Sequence, residues 1–362
     1  MYIDIDQVCK TPFTYCEIQP DGNVYPCCPA YCNYYSFGNI FEQTLEEIWN
    51  GEKAEIFRNS ILNHNYTFCN LKYCMAYNAI SDKKFLSGIE VYPSIIAVSC
   101  DTECNVACIT CRSKIIRNTE DDEKKLELFT KNIWSILDKV KILYISGSGD
   151  PFGSRFARNL IKKVASSFPN IKFNIHTNGV LCTERMCENL NIKDRINSIM
   201  FSIHSANQET YDKIVKYGNF KKVMKNMEWI AQEKANGKIK NVELLFVVHS
   251  LNYKDMPSFV RLAKKYKMHA SFTSYRDWGS GYSYNEAAVF EPWHENYSDL
   301  CNILTDKIFD SPCCCLDNVL YEVRKSGLKN QPSLFGRFFL IKQEKNHLVM
   351  KIYGIKMKFR IK

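Results

Sequence analysis

The sequence predicts an α/β fold: a barrel-like parallel sheet of six strand-then-helix repeats, short of the eight of a full barrel, behind a small cysteine-rich module. Three observations predict it. From about residue 92, short runs rich in β-branched and aromatic residues alternate with amphipathic stretches, as βα units do. The cysteine density and strand pattern both change at Tyr92-Pro93. With 362 residues, 46% of them hydrophobic and 13% aromatic, the chain can bury one barrel-sized core and an attached unit. The expected division is 1–91 for the module, 92–290 for the barrel and 291–362 for an extension ending in a basic tail.

Within the module, Glu17-Ile18-Gln19 and Asn23-Val24-Tyr25 flank Pro20-Asp21-Gly22. Proline presets φ and glycine accepts positive φ, so this reads as a β-hairpin. Leu45 to Leu62, with Ile48, Trp49, Ile56 and Ile61 apolar, reads as helix interrupted near Asn50-Gly51. Beyond the boundary the expected strands are Ile95 to Ser99, Ile142 to Ser146, Phe173 to Thr177, Ser198 to Ile203, Val242 to His249 and Ala270 to Ser274. Helices are expected over Asp121 to Val140, Ser154 to Ser167, Glu184 to Leu190, Gln208 to Gln232 with a break near Gly218, and Lys254 to Tyr266. In such architectures the chemistry sits in loops at the carboxyl ends of the strands.

Composition narrows the class. No apolar run reaches the roughly 18 residues of a membrane span, and Met1 to Lys10 carries acids where a secretory signal has bases, so a cytoplasmic location is expected. Seventeen cysteines, an odd number and clustered, favour metal over a disulfide framework. The net charge of +9 lies mostly in the tail, where nine Lys or Arg from Lys329 onward face one acid, Glu344. The body is nearly balanced and lacks a basic stripe for nucleic acid.

The loop after the first barrel strand reads Cys104-Asn105-Val106-Ala107-Cys108-Ile109-Thr110-Cys111-Arg112. A cubane cluster takes four ligands, so three close thiolates leave one iron open to a small molecule. The competing reading is zinc, with Cys100 as fourth ligand. This three-then-two spacing resembles the hallmark of the radical S-adenosylmethionine (SAM) superfamily, a likeness covering roughly Tyr92 to Trp278. The resemblance implies a partial (β/α)6 TIM-like barrel in which Cys104, Cys108 and Cys111 hold a [4Fe-4S] cluster whose open iron binds SAM. It further implies a 5'-deoxyadenosyl radical that takes a hydrogen atom from substrate, and a flavodoxin- or ferredoxin-type electron donor. Ser148-Gly149-Asp150-Pro151 resembles the segment that meets the SAM amino group. Thr177-Asn178-Gly179 ends the third strand as in the family, and Ser202 matches a serine near the SAM ribose or carboxylate. Thr110 departs from the aromatic residue usual beside the last cysteine, and His204 from the usual acid.

In the module, Cys9, twelve residues, Gly22, four residues and Cys27 form a spacing in which the hairpin turn folds one ligand back toward another. Cys69 and Cys74 follow the helical segment, and four such cysteines suffice for a second cluster. Cys16 rivals Cys9, and Cys28, Cys32 and Cys100 are further candidates. Asp21 to Cys28, Gly38-Asn39-Ile40, Leu45 to Trp49 and Phe57-Arg58 resemble the SPASM or twitch auxiliary-cluster module of radical SAM enzymes, here ahead of the barrel. The ligand set Cys9, Cys27, Cys69 and Cys74 is expected.

The tail, from Leu334 through the alternating Lys356 to Lys362, reads as an edge hairpin guarded by lysines or as a peripheral contact with anionic lipid. Lys351 to Lys356 also resembles tails on bacterial proteins encoded with surface-polysaccharide pathways. The expected substrate is a peptide or a surface-glycan sugar. The alternative from another class is a zinc-stabilised, non-catalytic binding or scaffold protein.

Overall fold

The computed structural model describes residues 7–71, 74, 80–82, 92–145, 147–330, 339–344, 347–352 and 355–360. Ser146 and the apolar stretch 331–338 lie outside them. Ten strands form the main sheet: β1 (Tyr15–Ile18), β2 (Asn23–Tyr25), β3 (Gly38–Asn39), β4 (Ile95–Val98), β5 (Ile142–Ile145), β6 (Lys172–Thr177), β7 (Ile196–Ser202), β8 (Asn241–Val248), β9 (His269–Ser274) and β10 (Cys314–Leu316). Their spatial order is β10-β9-β8-β7-β6-β5-β4-β1-β2-β3. The six expected barrel strands, β4 to β9, are consecutive and parallel. Beyond these six the sheet gains β10 at one end and β1 to β3 at the other, none of which sequence patterning assigned to it.

At one end β10, which contains Cys314 and Cys315, pairs parallel with β9. At the other, β1 pairs parallel with β4 through Tyr15↔Ile95 and Ile18↔Val98. The hairpin of the module is therefore a continuation of the barrel sheet, and the hydrogen-bond ladder crosses residue 92 without a break. Gly22, at φ +83°, makes the expected turn: its N–H reaches Gln19 O at 2.9 Å, and an added Cβ would lie 2.4 Å from Phe41.

Strand burial alternates with a period of two. Ile96, Leu143, Phe173, Ile175, Ile199, Phe201, Leu244, Phe246 and Phe272 are buried on the face that packs under helices. These include α1 (Leu45–Trp49), α2 (Glu52–Leu62), α3 (Glu120–Trp134), α4 (Arg155–Ser167), α5 (Glu184–Asn189), α6 (Gln208–Ile214), α7 (Phe220–Ala235) and α8 (Met256–Lys265). Starts follow capping chemistry. Thr119 and Asp122 make a reciprocal box at α3, and Ser154, Thr183, Asn207 and Asn219 accept from the first turns of α4 to α7. The helix expected through Val140 stops at Trp134, and a 3₁₀ turn over Leu137–Lys139 follows. That tighter turn brings both Leu137 and Val140 into the core before β5 begins.

The break expected near Gly218 is also present: α6 ends at Ile214, Val215–Lys216 forms a short strand, and α7 starts at Phe220. A Cβ on Gly218 would lie 2.6 Å from the Tyr211 hydroxyl. In the tail, Phe339–Glu344, His347–Ile352 and Ile355–Arg360 form a three-stranded antiparallel sheet, one strand more than a hairpin. Among the described residues no helix is long and apolar enough to cross a membrane.

Candidate metal centre

The loop leaving β4 is pinned on both sides of its middle cysteine. Ala107–Cys108 forms a two-residue antiparallel ladder with Val215–Lys216, and Ile109 N reaches Ile214 O at 3.0 Å. One turn later the N–H groups of Cys111 and Arg112 both donate to Cys108 O at 2.9 Å. Cys104 is buried, Cys108 half-buried and Cys111 exposed, so the trio opens outward through its last member. Burial pushes the Cys104 thiol up to about 11, Asp150 adds to it, and Arg112 opposes it. Cys108 is raised by burial, then by Cys104 and Cys111, which places the three sulfurs in one electrostatic neighbourhood.

Nitrogen donors already face these sulfurs. Asn178 Nδ2 lies 3.7 Å from Cys104 Sγ, and Arg112 presents Nε at 3.4 Å and Nη2 at 3.3 Å to Cys111 Sγ. Arg112 is itself fixed by Thr102 O at 2.6 Å and by Ser148 O. Ser148 thus meets the cysteine loop through its carbonyl. Gly149 allows the close approach: a Cβ there would lie 2.4 Å from Glu103 O and 2.8 Å from Asp101 O, both backbone.

Asp150 is buried and its carboxylate is fully engaged. Oδ1 accepts from Phe152 N at 3.0 Å and Gly153 N at 2.9 Å, while Oδ2 accepts from Thr177 Oγ1 at 2.7 Å and Asn178 N at 2.8 Å. Burial still raises its pKa, against those four donors. The acid therefore joins the loop after β5 to the end of β6, and Asn178 Nδ2 extends the join to Asn105 Oδ1 at 3.0 Å. On the opposite side Asp101 accepts from Asn118 and Ser154, and Glu103 from Arg117 at 3.1 Å and Arg155 N at 2.9 Å. Cys104, Gly149, Asp150, Thr177 and Asn178 thus converge; Ser202 does not join them directly.

Ser202 lies on the other face of the sheet, its Oγ 2.6 Å from His176 Nε2. This inward face carries Glu17, Tyr144, Asn174, His176, Ser202, Glu243 and Ser271, all half-buried. Tyr144 is raised by burial, then by Glu243 and by Glu17. Two strands, β6 and β7, separate β5 from β8, so this influence reflects a curled sheet with these side chains on its inner side. Burial holds three imidazoles neutral at successive strand ends: His176 and His204 are lowered to about 4 and His249 to about 3. His204 is structural, with Nδ1 accepting from Val247 N at 3.2 Å. Asn252 likewise braces the ends, donating to His204 O at 3.0 Å and Val247 O at 2.8 Å.

Among the module cysteines, Cys27 is raised first by a hydrogen bond with Cys32, then by burial, and then by Cys32, Cys69 and Cys9. Burial pushes Cys69 up to about 12, with Cys9, Cys74 and Cys32 adding to it. Cys16 is raised by burial and acted on by Arg58 and Glu17, apart from this group. Among the described residues no three His, Cys, Asp or Glu side chains stand close enough to grip a single ion. Tetrahedral zinc wants thiolates roughly 3.8 Å apart, whereas the larger body of a cubane holds its ligands farther out.

Sequence reasoning missed Arg112, Asn105, Asp101 and Glu103 as supports, and Glu17, His176 and Glu243 as lumen residues. The signal for the second set was present: Lys172-Phe173-Asn174-Ile175-His176-Thr177 alternates polar and apolar residues, as a strand covered on one side and wet on the other does.

Comparison with known proteins adds a family. Residues 9–75 match SPASM, an iron-sulfur cluster-binding domain, and residues 100–263 match the Radical SAM superfamily. The GTP 3',8-cyclase of Desulforamulus reducens is 26% identical over 180 residues, 49% of this chain and 54% of that protein. That of Clostridium botulinum is 25% identical over 219 residues, 59% of this chain and 66% of that one. The chain thus aligns with little more than half of the first relative's length. A solved structure described as native anSMEcpe with bound AdoMet overlays with a TM-score of 0.42 at 16% identity, covering 61% of this chain and 63% of its own. The cofactors of such enzymes are a SAM-binding [4Fe-4S] cluster and auxiliary iron-sulfur clusters. The nitrogen donors on Cys104 and Cys111 fit such a group. With one match over the braced cysteine loop and the other over the amino-terminal thiols, this chain carries a radical SAM superfamily domain with a SPASM iron-sulfur domain ahead of it.

Proposed function

We propose that the chain reductively cleaves SAM and removes a hydrogen atom from a substrate held in the polar lumen of the sheet. Cys104, Cys108 and Cys111 hold the SAM-site cluster, and module cysteines hold an auxiliary one. When bound, the first cluster delivers the electron that splits the sulfonium of SAM. The protein positions and encloses. Gly149 keeps the loop after β5 low against the cysteine loop, so that backbone at Ser148 to Asp150 would receive the SAM amino group. Asp150, Thr177 and Asn178 lock that ledge. Asn178 and Arg112 donate to ligand sulfurs, which stabilises thiolate charge. Ser202, braced by His176, would meet the ribose or carboxylate of SAM.

The single observation that carries this reading is the braced trio of Cys104, Cys108 and Cys111 opening outward at the carboxyl end of β4. The substrate reading rests on the lumen. Glu17 and Glu243 face it, and above Lys172 at its lower rim no described inward position on the strands is Lys or Arg. A nucleoside triphosphate, the substrate type in the curated relatives' name, would need cations there. A neutral or cationic molecule suits this surface, so a peptide or a glycan sugar is the class we favour, with a low-potential flavodoxin or ferredoxin as electron donor. We place the reaction in the cytoplasm, where its many thiols stay reduced.

Anaerobic purification tests the reading. The expected product is brown protein that converts SAM to methionine and 5'-deoxyadenosine on reduction. Colourless, zinc-filled protein inert toward SAM would restore the scaffold alternative.

A further inference from the structure

We infer that the exposed turn at Lys216 and Tyr217, with Lys221, Lys222 and Lys225 following it, is the docking face for a small acidic electron-transfer protein. The inference rests on the cluster reading of Cys104, Cys108 and Cys111; it names the surface through which that centre receives its electron. The body of the chain is nearly balanced in charge, yet between Asp212 and Glu228 it carries five lysines and no acid. Lys213 is paired with Glu209 at 2.7 Å. Lys216, Lys221, Lys222 and Lys225 are exposed and have no ion-pair partner among the described residues.

Local folding does not account for this surface. Lys221 and Lys222 stand in the first turn of α7, where the helix dipole disfavours positive charge and no acid offsets it. Tyr217 takes a left-handed φ of +62°, while the adjacent Gly218, which bears no such steric penalty, stays out of that region and presses against Tyr211. A bulky side chain at positive φ is an outlier. At 72% exposure Tyr217 is also the most exposed of the described large apolar side chains. A strained backbone that holds an aromatic ring out in water points to a contact made with something else.

The place of attachment selects the partner. Lys216 pairs with Ala107 and Val215 with Cys108, and neighbouring strands lie about 4.8 Å apart, so the turn grows directly from the loop that carries the three thiols. Cys111, the exposed member of the trio, follows one turn after Cys108. Electron transfer weakens steeply with distance, and a protein seated on this turn stands beside that loop. A few lysines around one ring make a small face, which steers an oppositely charged protein into a brief encounter instead of a lasting complex. One electron moves: the reduced partner is oxidised by one electron, the SAM-site cluster gains it, and no covalent bond changes in that step.

The test uses the reconstituted full chain and two probes, an oxidised flavodoxin and an oxidised ferredoxin, with binding read by calorimetry apart from any turnover. The parent should bind at least one of them, and more weakly as salt rises. Lys221→Glu with Lys222→Glu puts acids where the α7 dipole favours them, so the variant should fold, and it should weaken binding at least about tenfold. Tyr217→Asn keeps a residue tolerant of positive φ and should weaken it about fivefold or more. In both variants SAM cleavage driven by dithionite should match the parent, while cleavage driven by the reduced protein probe falls with the binding. Lys131→Glu with Lys162→Glu, the same charge change made on α3 and α4, should leave binding as it was. Undiminished binding by the Lys221 and Lys222 variant, an equal loss from the α3 and α4 variant, or a parent that binds neither probe would overturn the inference. Tighter binding of a single-stranded oligonucleotide than of either probe, lost in the same variant, would overturn it in favour of nucleic acid. A parent that cleaves no SAM even with dithionite would overturn the cluster reading on which the inference stands.

Discussion

The two cysteine groups of this protein are built on opposite plans. Cys104, Cys108 and Cys111 come from eight consecutive residues and owe their arrangement to a ring of supports: the Val215–Lys216 ladder, Gly149, Asp150, Asn178 and Arg112. The module thiols come from across about sixty residues, and turns, a helix pair and an aromatic cluster bring them together. A local trio with nitrogen donors on its sulfurs suits a centre that must exchange a ligand. A distributed, enclosed set suits one whose coordination is closed by protein.

Removing the trio should have the largest effect. The Cys104, Cys108 and Cys111 triple alanine chain should lose SAM cleavage to background, measured as 5'-deoxyadenosine, while keeping iron in the module. Next is the brace. Gly149→Val forces a side chain into Glu103 O and Asp101 O, and should lower SAM cleavage at least about tenfold with roughly 1–3 kcal/mol of lost stability by thermal melt. Module iron should be unaffected. Asn178→Leu removes the donor on Cys104 and should change metal retention or turnover by about ten- to a hundredfold, with a shift in cluster potential read by redox titration.

The smallest effect is one of pH. His176 is held neutral, its pKa lowered to about 4 by burial, against an ordinary value near 6.5. Below pH 6.5 the unfolded chain therefore binds a proton that the folded one refuses, so this residue's contribution to stability is intact at neutral pH and falls between about 6.5 and 4. Asp150 and Glu17, both raised by burial, act in the opposite direction, so the informative quantity is a difference. The melting temperature of His176→Gln should fall less steeply over that interval than the parent's; equal slopes would remove His176 as the cause.

The same contrast explains what could be read from the chain. The six barrel strands and the trio were legible because period-two alternation and a short cysteine spacing are local signals. The breaks at Asn50-Gly51 and Gly218 were legible for the same reason. That β1 would pair with β4, and that Cys313 to Cys315 would open into β10, depends on partners some eighty and forty residues away. No periodicity within three- or four-residue strands encodes those partners. Asp150 illustrates the remaining gap: a Gly-Asp-Pro turn shows that an acid is present, but not that four donors from two loops converge on it.

The ladder from Tyr15–Ile18 to Ile95–Val98 also governs how the chain can be cut. A fragment beginning at residue 92 would begin with a raw parallel edge, Ile95 to Val98, whose amides and carbonyls had been covered by the removed piece. Such an edge invites pairing with another molecule, so the shortened polypeptide should precipitate or associate instead of behaving as an isolated catalytic half.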